Sequence, residues 1–477
     1  MLRHTKIVAT LGPASSSPEV LERLVRAGVD VVRMNFSHGT ADDHRARAEG
    51  IRAAAAKVGR TVGILGDLQG PKIRVGKFAE GKITLTAGGT FILDAQCPLG
   101  SEERVGLDYK ELPKDVRNDD ILLLDDGRLK LQVIAVRGHE IHTRVLVGGV
   151  LSNNKGINRQ GGGLTAPALT AKDMEDIRTA AQIGVDFVAV SFPKSAADMY
   201  MARQLLRAAG SSVVLIAKIE RVEAVDNMAE ILDASDGVMV ARGDLAVEVG
   251  DASVPALQKK MIRMARDMNK LTITATQMME SMILSPVPTR AEVSDVANAV
   301  LDGTDAVMLS AETASGNYPV ETVESMGRIC IEAERSAEVT LDREFLDRVF
   351  TRIDQSIAMA AIWTSSHLKV KAIASLTQTG STALWMSRLN CGVPIYALTP
   401  DAESVGRMAL YRGVCPLPMK QQHTDRELLL AEAEQLLIDR GVVEKGDLIA
   451  LTIGEPIGSS GGTNTLKIVR VGDHQIN

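Results

Sequence analysis

The sequence is poor in the residues and segments that mark several large classes of protein. Aromatic residues make up only 3% of the 477 positions, so aliphatic side chains and methionine must build the core, as is typical of helices packed on parallel strands. No apolar run approaches the roughly 20 residues of a membrane span, which argues against a helical membrane protein. The cysteines, too scattered for a zinc motif or a disulfide framework and therefore expected as reduced thiols, are Cys97, Cys330, Cys391 and Cys415.

An excess of positive charge is also missing. The net charge is −6 although the chain has 54 lysine and arginine residues, which argues against nucleic acid or a membrane surface as the main partner. The first residues, MLRHTKIVATLGP, contain too short an apolar run for a signal peptide, so we expect a cytoplasmic protein. The 45% hydrophobic and 24% charged residues indicate a globular chain of two or three domains.

Short aliphatic runs with a polar or glycine-rich ending recur along the chain, as fully buried parallel strands do. Helical stretches separate most of them, such as residues 17–28, with a Ser17 cap and a Gly28 stop, and residues 221–235. This alternation predicts a (β/α)8 barrel, with its chemistry at the carboxyl ends of the strands. The runs are KIVATLGP (6–13), VDVVRMNFSHG (29–39), VGILGDLQGP (62–71), VDFVAVSFPK (185–194), VVLIAKIE (213–220), GVMVARGD (237–244), LTITATQM (271–278) and TDAVMLSAET (304–313).

Two further regions depart from this pattern. Residues 72–168 alternate apolar and polar positions around glycine-containing turns, which predicts an antiparallel β-barrel inserted between the third and fourth strands. We interpret it as a lid over the chemistry, with a passive insertion as the alternative. Residues 341–477 predict a C-terminal open α/β sheet domain, which leaves residues 1–71 and 169–340 for the barrel.

The stretch SVVLIAKIER, residues 212–221, ends a predicted buried strand with an ammonium and a carboxylate. Because side chains alternate along a strand with a period of two, Lys218 and Glu220 point to the same side. An isolated salt bridge would account for this pair. Asp244, at the end of the next run, instead favours Mg²⁺ held by two carboxylates, the sparse protein ligation typical of that ion.

The endings of the other runs add cations, carboxylates and hydroxyl groups. One charged strand end is usually a solvated or paired loop residue, but the whole set suits a phosphorylated substrate held with a divalent metal. The ARGD stretch, residues 241–244, adds backbone amides at a helix start, which bind carboxylates. The polar endings are Arg33, Asn35, Ser37, His38, Asp67, Arg74, Lys218, Glu220, Arg242, Asp244, Thr276, Ser310 and Glu312.

Six motifs resemble those of the bacterial pyruvate kinases and occur in the same order. The resemblance implies a homotetramer of chains with a barrel, a lid and a regulatory domain. It also implies Mg²⁺-dependent phosphoryl transfer from phosphoenolpyruvate to ADP, giving pyruvate and ATP in glycolysis, with Mn²⁺ as a substitute metal. The motifs are VRMNFSHG (32–39), GDLQGPKIR (66–74), IAKIER (216–221), MVARGDL (239–245), ITATQMMESM (273–282) and PTRAEVSDVANAVLDGTDAVMLSAET (288–313).

The resemblance further implies roles for individual residues. Lys218 would neutralise the transferred phosphoryl group, while Glu220 and Asp244 would hold Mg²⁺. The other implied catalytic residues are Arg33 and Arg74 at the phosphate and Thr276, Ser310 and Glu312 in the protonation of the enolate. The implied substrate-binding residues are Arg33, Lys218, Ala241, Arg242, Gly243, Asp244 and Thr276. The implied ADP-binding residues are Pro13, Asn35, His38, Arg74 and Arg178.

Two departures from the family pattern lead to expectations of their own. Potassium-dependent members carry a glutamate where this chain has Lys72, whose ammonium would replace the monovalent cation, so we expect activity without K⁺. GINRQGGG (156–163) replaces a more usual Leu-Pro-Gly stretch at the lid hinge, so we expect a differently tuned closure. The residues that match the potassium site of the family are Asn35, Ser37, Asp67 and Leu68, the last through its carbonyl.

The TQTGST loop lies between a predicted strand and helix, where it forms either a phosphate-binding turn or a simple helix cap. It resembles the effector loop of the family, and residues 453–465 resemble the second wall of that pocket. Members that bind fructose 1,6-bisphosphate often have more basic residues here, so we predict activation by a sugar monophosphate or AMP. The loop comprises Thr377, Gln378, Thr379, Gly380, Ser381 and Thr382.

Two other functions stay open at this point. A catalytically silent relative would bind phosphorylated metabolites as a regulator, but Lys218, Glu220, Asp244 and Thr276 are all present. Another barrel enzyme that uses phosphoenolpyruvate, such as a mutase or a lyase, would lack the β insert and the C-terminal unit.

Overall fold

The computed structural model describes residues 3–336, 349–389, 392–423, 425–458 and 461–473. The strands are β1 (Lys6–Thr10), β2 (Val31–Asn35), β3 (Gly63–Asp67), β4 (Lys82–Leu85), β5 (Thr90–Asp94), β6 (Arg104–Gly106), β7 (Ile121–Leu124), β8 (Leu129–Arg137), β9 (Glu140–Val147), β10 (Gly149–Ser152), β11 (Ile157–Arg159), β12 (Phe187–Val190), β13 (Val214–Ile219), β14 (Gly237–Ala241), β15 (Leu271–Ala275), β16 (Ala306–Leu309), β17 (Ala372–Leu376), β18 (Ile395–Thr399), β19 (Val414–Pro418), β20 (Leu448–Gly454) and β21 (Thr463–Arg470).

The helices follow the strands as the alternating pattern predicts. They are α1 (Pro18–Ala27), α2 (Ala41–Val58), α3 (Leu112–Asp115), α4 (Ala171–Ile183), α5 (Ala196–Ala208), α6 (Val222–Asp226), α7 (Met228–Ala234), α8 (Arg242–Val249), α9 (Val254–Asp267), α10 (Arg290–Leu301), α11 (Ala311–Ala314), α12 (Pro319–Ser336), α13 (Ile353–Leu368), α14 (Ser381–Arg388), α15 (Ala402–Met408) and α16 (Arg426–Asp439). Short 3-10 helices cover Pro13–Ser15, Asp251–Ser253 and Glu280–Ile283.

Eight of the strands form a closed parallel barrel in the order β1-β16-β15-β14-β13-β12-β3-β2, which confirms the predicted fold class. Every residue of β1, β3, β14 and β15 is buried. This burial on both faces explains why the runs in the sequence are continuously apolar rather than alternating.

Helix boundaries follow local capping where the sequence contains a clear signal. The Ser17 hydroxyl accepts a hydrogen bond from the Val20 N–H, and Gly28 ends α1 with a φ of 112°. The single helix expected over residues 221–235 is instead two, α6 and α7. Asn227 lies at the break, where its φ of −94° and ψ of 19° depart from helical values, and its side-chain amide donates to the Lys194 carbonyl (2.8 Å).

The insert, residues 72–168, is a β module with its own core. It contains a six-stranded sheet, β11-β7-β8-β9-β5-β6, and a two-stranded sheet, β10-β4. Neighbouring strands in these two sheets are antiparallel except β5 and β6, which are parallel. Phe91, Leu122, Leu131 and Ile141 are among the buried side chains that hold these strands together.

The C-terminal region is an open sheet with the order β19-β18-β17-β20-β21. Its first four strands are parallel, and β21 runs antiparallel to β20. Leu429, Leu430 and Leu437 of α16 pack against Leu451 and other buried residues of the sheet. The region therefore has a hydrophobic core of its own.

The chain divides into two compact units. The first comprises residues up to Gly66, Ile183–Phe187 and everything from Ala265 onward, and the second comprises Asp67–Gln182 and Val188–Met264. The three-domain division stays a prediction, and its boundary at residues 340 and 341 lies outside the described residues. In the described part of the chain, no helix has the length and apolar character needed to cross a membrane. Cys97, Cys330 and Cys415 are free thiols, and Cys391 lies outside the described residues.

Candidate active site

Lys218 and Glu220 meet at the end of β13, in the second unit. The Lys218 ammonium lies 2.9 Å from a Glu220 carboxylate oxygen and 3.3 Å from a carboxylate oxygen of Asp67, the last residue of β3. It also donates a hydrogen bond of 2.7 Å to the Ser191 hydroxyl. The prediction that Lys218 and Glu220 point to the same side of the strand is thus confirmed, and the Asp67 carboxylate lies beside them.

The carboxylate of Glu220 is almost inaccessible to water, with 1% of the residue exposed. Burial raises its pKa; the Lys218 ammonium works against that rise, while Asp244 and Asp67 add to it. The Phe192 N–H donates to the second carboxylate oxygen at 2.8 Å. A buried carboxylate surrounded by others in this way is stabilised by additional positive charge, which a divalent cation supplies.

Lys72 and Asp244 form a second ion pair in the same unit. The Lys72 ammonium lies 2.9 Å from Asp244 and 3.8 Å from Asp126 of the insert. Burial disfavours its charged form, but Asp244 and Asp126 outweigh that effect and raise the pKa of Lys72. Lys72 is therefore a cation held against Asp244, one of the two proposed metal ligands.

The ARGD stretch forms the start of a helix, as expected. β14 ends at Ala241, and α8 begins at Arg242, so Gly243 and Asp244 lie in its first turn. The first turn of a helix carries partial positive charge from its backbone N–H groups, which suits an anion. Arg242 reaches toward Gln258 on α9, at 3.5 Å.

The second unit also contains the remaining residues predicted for this part of the site. The Leu68 carbonyl, a predicted potassium ligand, accepts a hydrogen bond of 2.7 Å from Ser191. The insert holds Arg74, whose N–H donates to Asp108 (2.7 Å) and whose guanidinium donates to the Asn154 carbonyl (3.0 Å). Arg178 is exposed on α4.

The first unit holds the other half of the predicted residues. Arg33 of β2 pairs with Thr10 of β1 in the barrel sheet, and its guanidinium donates to the Thr10 hydroxyl at 3.2 Å. The Asn35 side chain accepts from the Ser37 N–H (3.1 Å), and the His38 N–H donates to the Asn35 carbonyl (3.2 Å), so this segment is a turn directly after β2. Pro13 opens a short 3-10 helix after β1.

Thr276 has an unusual backbone conformation, whereas Glu312 is buried and fixed by backbone hydrogen bonds. Thr276 follows β15 with a φ of 69°, a left-handed backbone conformation that is strained for a β-branched residue. Glu312 is buried and accepts from the Ser310 N–H (2.6 Å) and the Met279 N–H (3.2 Å). Burial raises the pKa of Glu312, with those backbone donors opposing the rise.

Ser191 and Asp126 contact the site although the sequence reading did not single them out. Ser191 follows β12 within VDFVAVSFPK, so its position after a strand was an available signal. Asp126 lies in a turn of the insert, and no local pattern connects it with Lys72. Both contacts join residues that are distant in the sequence.

A separate cluster of potential metal ligands lies in the insert. Asp94, His139 and Glu140 bring one ligand atom each within 4.8 Å of one another. The Arg104 guanidinium already donates to both carboxylates, at 3.0 and 2.9 Å. The Asp94 and Glu140 carboxylates therefore already share a cation in this structure.

The TQTGST loop is the turn between β17 and α14 in the first unit. Gly380 has a φ of 81°, and its N–H donates to the Thr377 hydroxyl at 2.9 Å. The loop borders a pocket whose described lining residues are uncharged. Of the expected second wall, residues 459 and 460 lie outside the described part of the chain.

The parallel barrel, with a lysine and carboxylates after its strands, defines an enzyme of the class that handles anionic substrates with a divalent metal. Family models confirm and narrow this class: "Pyruvate kinase, barrel domain" matches residues 2–323, and "Pyruvate kinase, alpha/beta domain" matches residues 355–469. The chain belongs to the pyruvate kinase family, as the sequence motifs predicted.

Pyruvate kinases of other organisms that are similar to this chain support the same assignment. A pyruvate kinase of Haemophilus influenzae is 55% identical over 95% of this chain and 96% of its own length. Pyruvate kinase II of Salmonella typhimurium is 53% identical over 98% of this chain and 99% of its own. A pyruvate kinase of Mycobacterium tuberculosis is 42% identical over the whole of both chains. These likenesses favour pyruvate kinase activity over the two alternative functions.

Proposed function

We propose that this chain transfers the phosphoryl group of phosphoenolpyruvate to ADP. The observation that carries the proposal is the contact of Lys218 with Glu220 and Asp67, 2.9 and 3.3 Å away. A coupled assay with phosphoenolpyruvate, ADP and Mg²⁺ tests it. Pyruvate and ATP should form in equal amounts, whereas binding without turnover would point to the silent relative.

In the proposed reaction, the bond between phosphorus and the enol oxygen breaks while a β-phosphate oxygen of ADP bonds to phosphorus. Negative charge spreads over the transferred group, and the Lys218 ammonium is the cation of this chain that neutralises it. Backbone amides from Ala241, at the end of β14, and from the first turn of α8, Arg242 to Asp244, bind the substrate carboxylate in this proposal.

Glu220 and Asp244 are the residues that would hold Mg²⁺, with Mn²⁺ as a substitute. Both offer hard carboxylate oxygens, and burial raises the pKa of Glu220, with the nearby carboxylates of Asp244 and Asp67 adding to that rise. When bound, the metal neutralises phosphate and carboxylate oxygens of the substrate.

Residues of the first unit are proposed for phosphate, nucleotide and proton handling. Arg33 contacts the phosphate, with Arg74 of the insert as a second cation. Thr276 with Ser310 and Glu312 delivers a proton to the methylene carbon of the enolate, which then becomes the methyl group of pyruvate. The proposed ADP-binding residues are Pro13, Asn35, His38, Arg74 and Arg178. We also propose a cytoplasmic homotetramer, which sedimentation of the purified chain tests.

We expect the enzyme to work without added K⁺. The proposal is supported by the Lys72 ammonium, which lies 2.9 Å from Asp244 and would substitute for the charge of the monovalent cation. The rate in a tetraalkylammonium buffer should therefore change little when KCl is added. A rise of about tenfold or more would contradict the proposal, since that equals about 1.4 kcal/mol of missing stabilisation.

A pair of charge reversals sharpens this test. Lys72→Glu should create a strong dependence on KCl, because the carboxylates around Asp244 then have no fixed cation. Lys77→Glu changes the same charge at an exposed position five residues away and serves as the control. Equal responses of the two variants would show that Lys72 does not replace the ion.

We expect a monophosphorylated activator to bind at the loop that contains Thr377, Gln378, Thr379, Gly380, Ser381 and Thr382. The uncharged pocket beside it supports one phosphate rather than two. Ribose 5-phosphate or AMP should raise the rate at subsaturating phosphoenolpyruvate, and Thr379→Val should weaken that response. Activation by fructose 1,6-bisphosphate alone would overturn this assignment.

A further inference from the structure

Three consecutive glycines near the end of the insert have a backbone that other residues rarely adopt. Gly161, Gly162 and Gly163 have φ values of 82°, 75° and 86°. Residues with a Cβ are strained at positive φ, so the segment depends on glycine for its path. These residues lead from β11 back to the barrel helix α4, and both ends lie in the second unit.

The triglycine segment wraps around the carboxylate of Glu223 in α6. The Gly163 N–H donates to one carboxylate oxygen of Glu223 at 2.6 Å. A Cβ added to Gly162 would lie 3.0 Å from the other oxygen, so that oxygen is packed against the glycine backbone. A Cβ on Gly163 would collide with the Arg159 guanidinium. Close approach to Glu223 at Gly162 and to Arg159 at Gly163 therefore favours glycine at these two positions, whereas at Gly161 the positive φ alone favours it.

Arg221, which directly precedes α6, makes a second contact with the end of the insert. Its guanidinium donates to the Leu164 carbonyl at 3.3 Å and lies 5.4 Å from the centre of the Phe192 ring. The Phe192 N–H in turn holds Glu220. Arg221 is buried, so these contacts are shielded from water and are stronger than exposed ones.

Glu248 of α8 completes the contact between the two segments. Its carboxylate accepts from the Val222 N–H at 3.1 Å, and its backbone carbonyl accepts from the Gly161 N–H at 3.4 Å. The helix whose first turn contains Asp244 thus touches both the triglycine segment and α6.

We propose that Arg221 and Glu223 are positioning residues that fasten the end of the insert to the chain segment bearing Lys218 and Glu220. Lys218, Glu220, Arg221 and Glu223 lie within six consecutive residues, so a displacement of residues 161–165 is transmitted directly to the metal carboxylate. The inference rests on the roles proposed above for Lys218 and Glu220. It also gives a structural role to GINRQGGG, which replaces the more usual Leu-Pro-Gly stretch: the side chains of Arg221 and Glu223, rather than a proline, hold the end of the insert.

Amide hydrogen exchange of the full chain without substrates tests the fastening itself, independently of the catalytic roles. In Glu223→Ala, the Gly163 amide loses its acceptor, and exchange across residues 161–166 should accelerate by about tenfold or more. Glu223→Gln keeps an oxygen acceptor and should restore most of the protection. Asp226→Asn, at an exposed position of the same helix, is the matched control and should exchange as the unaltered chain does.

Kinetics of the same variants test the coupling to chemistry. Glu223→Ala should lower kcat by about tenfold, the size expected when a small misplacement affects a catalytic group, with a smaller change in KM for phosphoenolpyruvate. Glu223→Asp retains the charge but withdraws the acceptor by one methylene, and it should show the same defects to a lesser degree even if the alanine variant folds poorly. Unaltered exchange in the alanine and aspartate variants would overturn the fastening. Faster exchange with unchanged kcat would overturn the coupling.

Discussion

Lys218→Met should reduce kcat by a factor of about 10³ or more while the chain remains folded. The ammonium is the charge that we place at the transferred phosphoryl group, and methionine preserves the length and apolar contacts of the side chain. The fold should survive because Glu220 keeps its hydrogen bond of 2.8 Å from the Phe192 N–H. Ser191 also keeps its bond of 2.7 Å to the Leu68 carbonyl.

Two measurements separate the chemical step from a general loss of function. Single-turnover phosphoryl transfer should show the full defect, whereas exchange of the pyruvate methyl protons with deuterium oxide should fall much less, because it requires only the enolisation step. Lys130→Met, at an exposed position of β8, should leave both rates unchanged. Turnover near the original rate in Lys218→Met would remove the central role of this lysine.

Arg388→Met should lower the free energy of unfolding by about 3–5 kcal/mol, the cost of leaving one partner of a buried ion pair without the other. The side chains of Arg388 and Asp305 are each 1% exposed, and the two terminal guanidinium nitrogens of Arg388, Nη1 and Nη2, donate to the Asp305 carboxylate. Arg388 also donates to the Lys270 carbonyl at 2.9 Å, so it ties the end of α14 to residues just before β15 and β16.

A double-mutant cycle with Asp305→Asn identifies the source of that loss. Because the asparagine removes the uncompensated charge, Arg388→Met with Asp305→Asn should cost less than the sum of the two single changes. Arg335→Met breaks an exposed pair with Glu332, both more than half exposed, and should cost under about 1 kcal/mol. Urea unfolding followed by circular dichroism measures all four variants. Equal losses for Arg388→Met and Arg335→Met would contradict the argument from burial.

Features that depend on neighbours in the sequence could be predicted well. The alternation of side chains along a strand predicted that Lys218 and Glu220 lie together. The ARGD stretch predicted the start of α8, and Ser17 and Gly28 predicted the two ends of α1. The single helix expected over residues 221–235 was wrong in one respect, because the backbone leaves helical geometry at Asn227 and the segment forms two helices, α6 and α7. Resemblance to family motifs supplied the roles of residues that geometry alone left open.

The sequence by itself determined the barrel, its polar strand ends and the family, because apolar periodicity, caps and short motifs act over a few residues. Only the tertiary structure decided which charges meet. Lys72 and Asp244 are 172 residues apart, and Arg388 and Asp305 are 83 apart. Ser191 joins Lys218 to the Leu68 carbonyl, and Gly162 and Gly163 of the insert lie against the Glu223 carboxylate. Such contacts form only after the apolar strands and helices have packed, and that packing arises from many small non-directional contributions that no single residue pattern encodes.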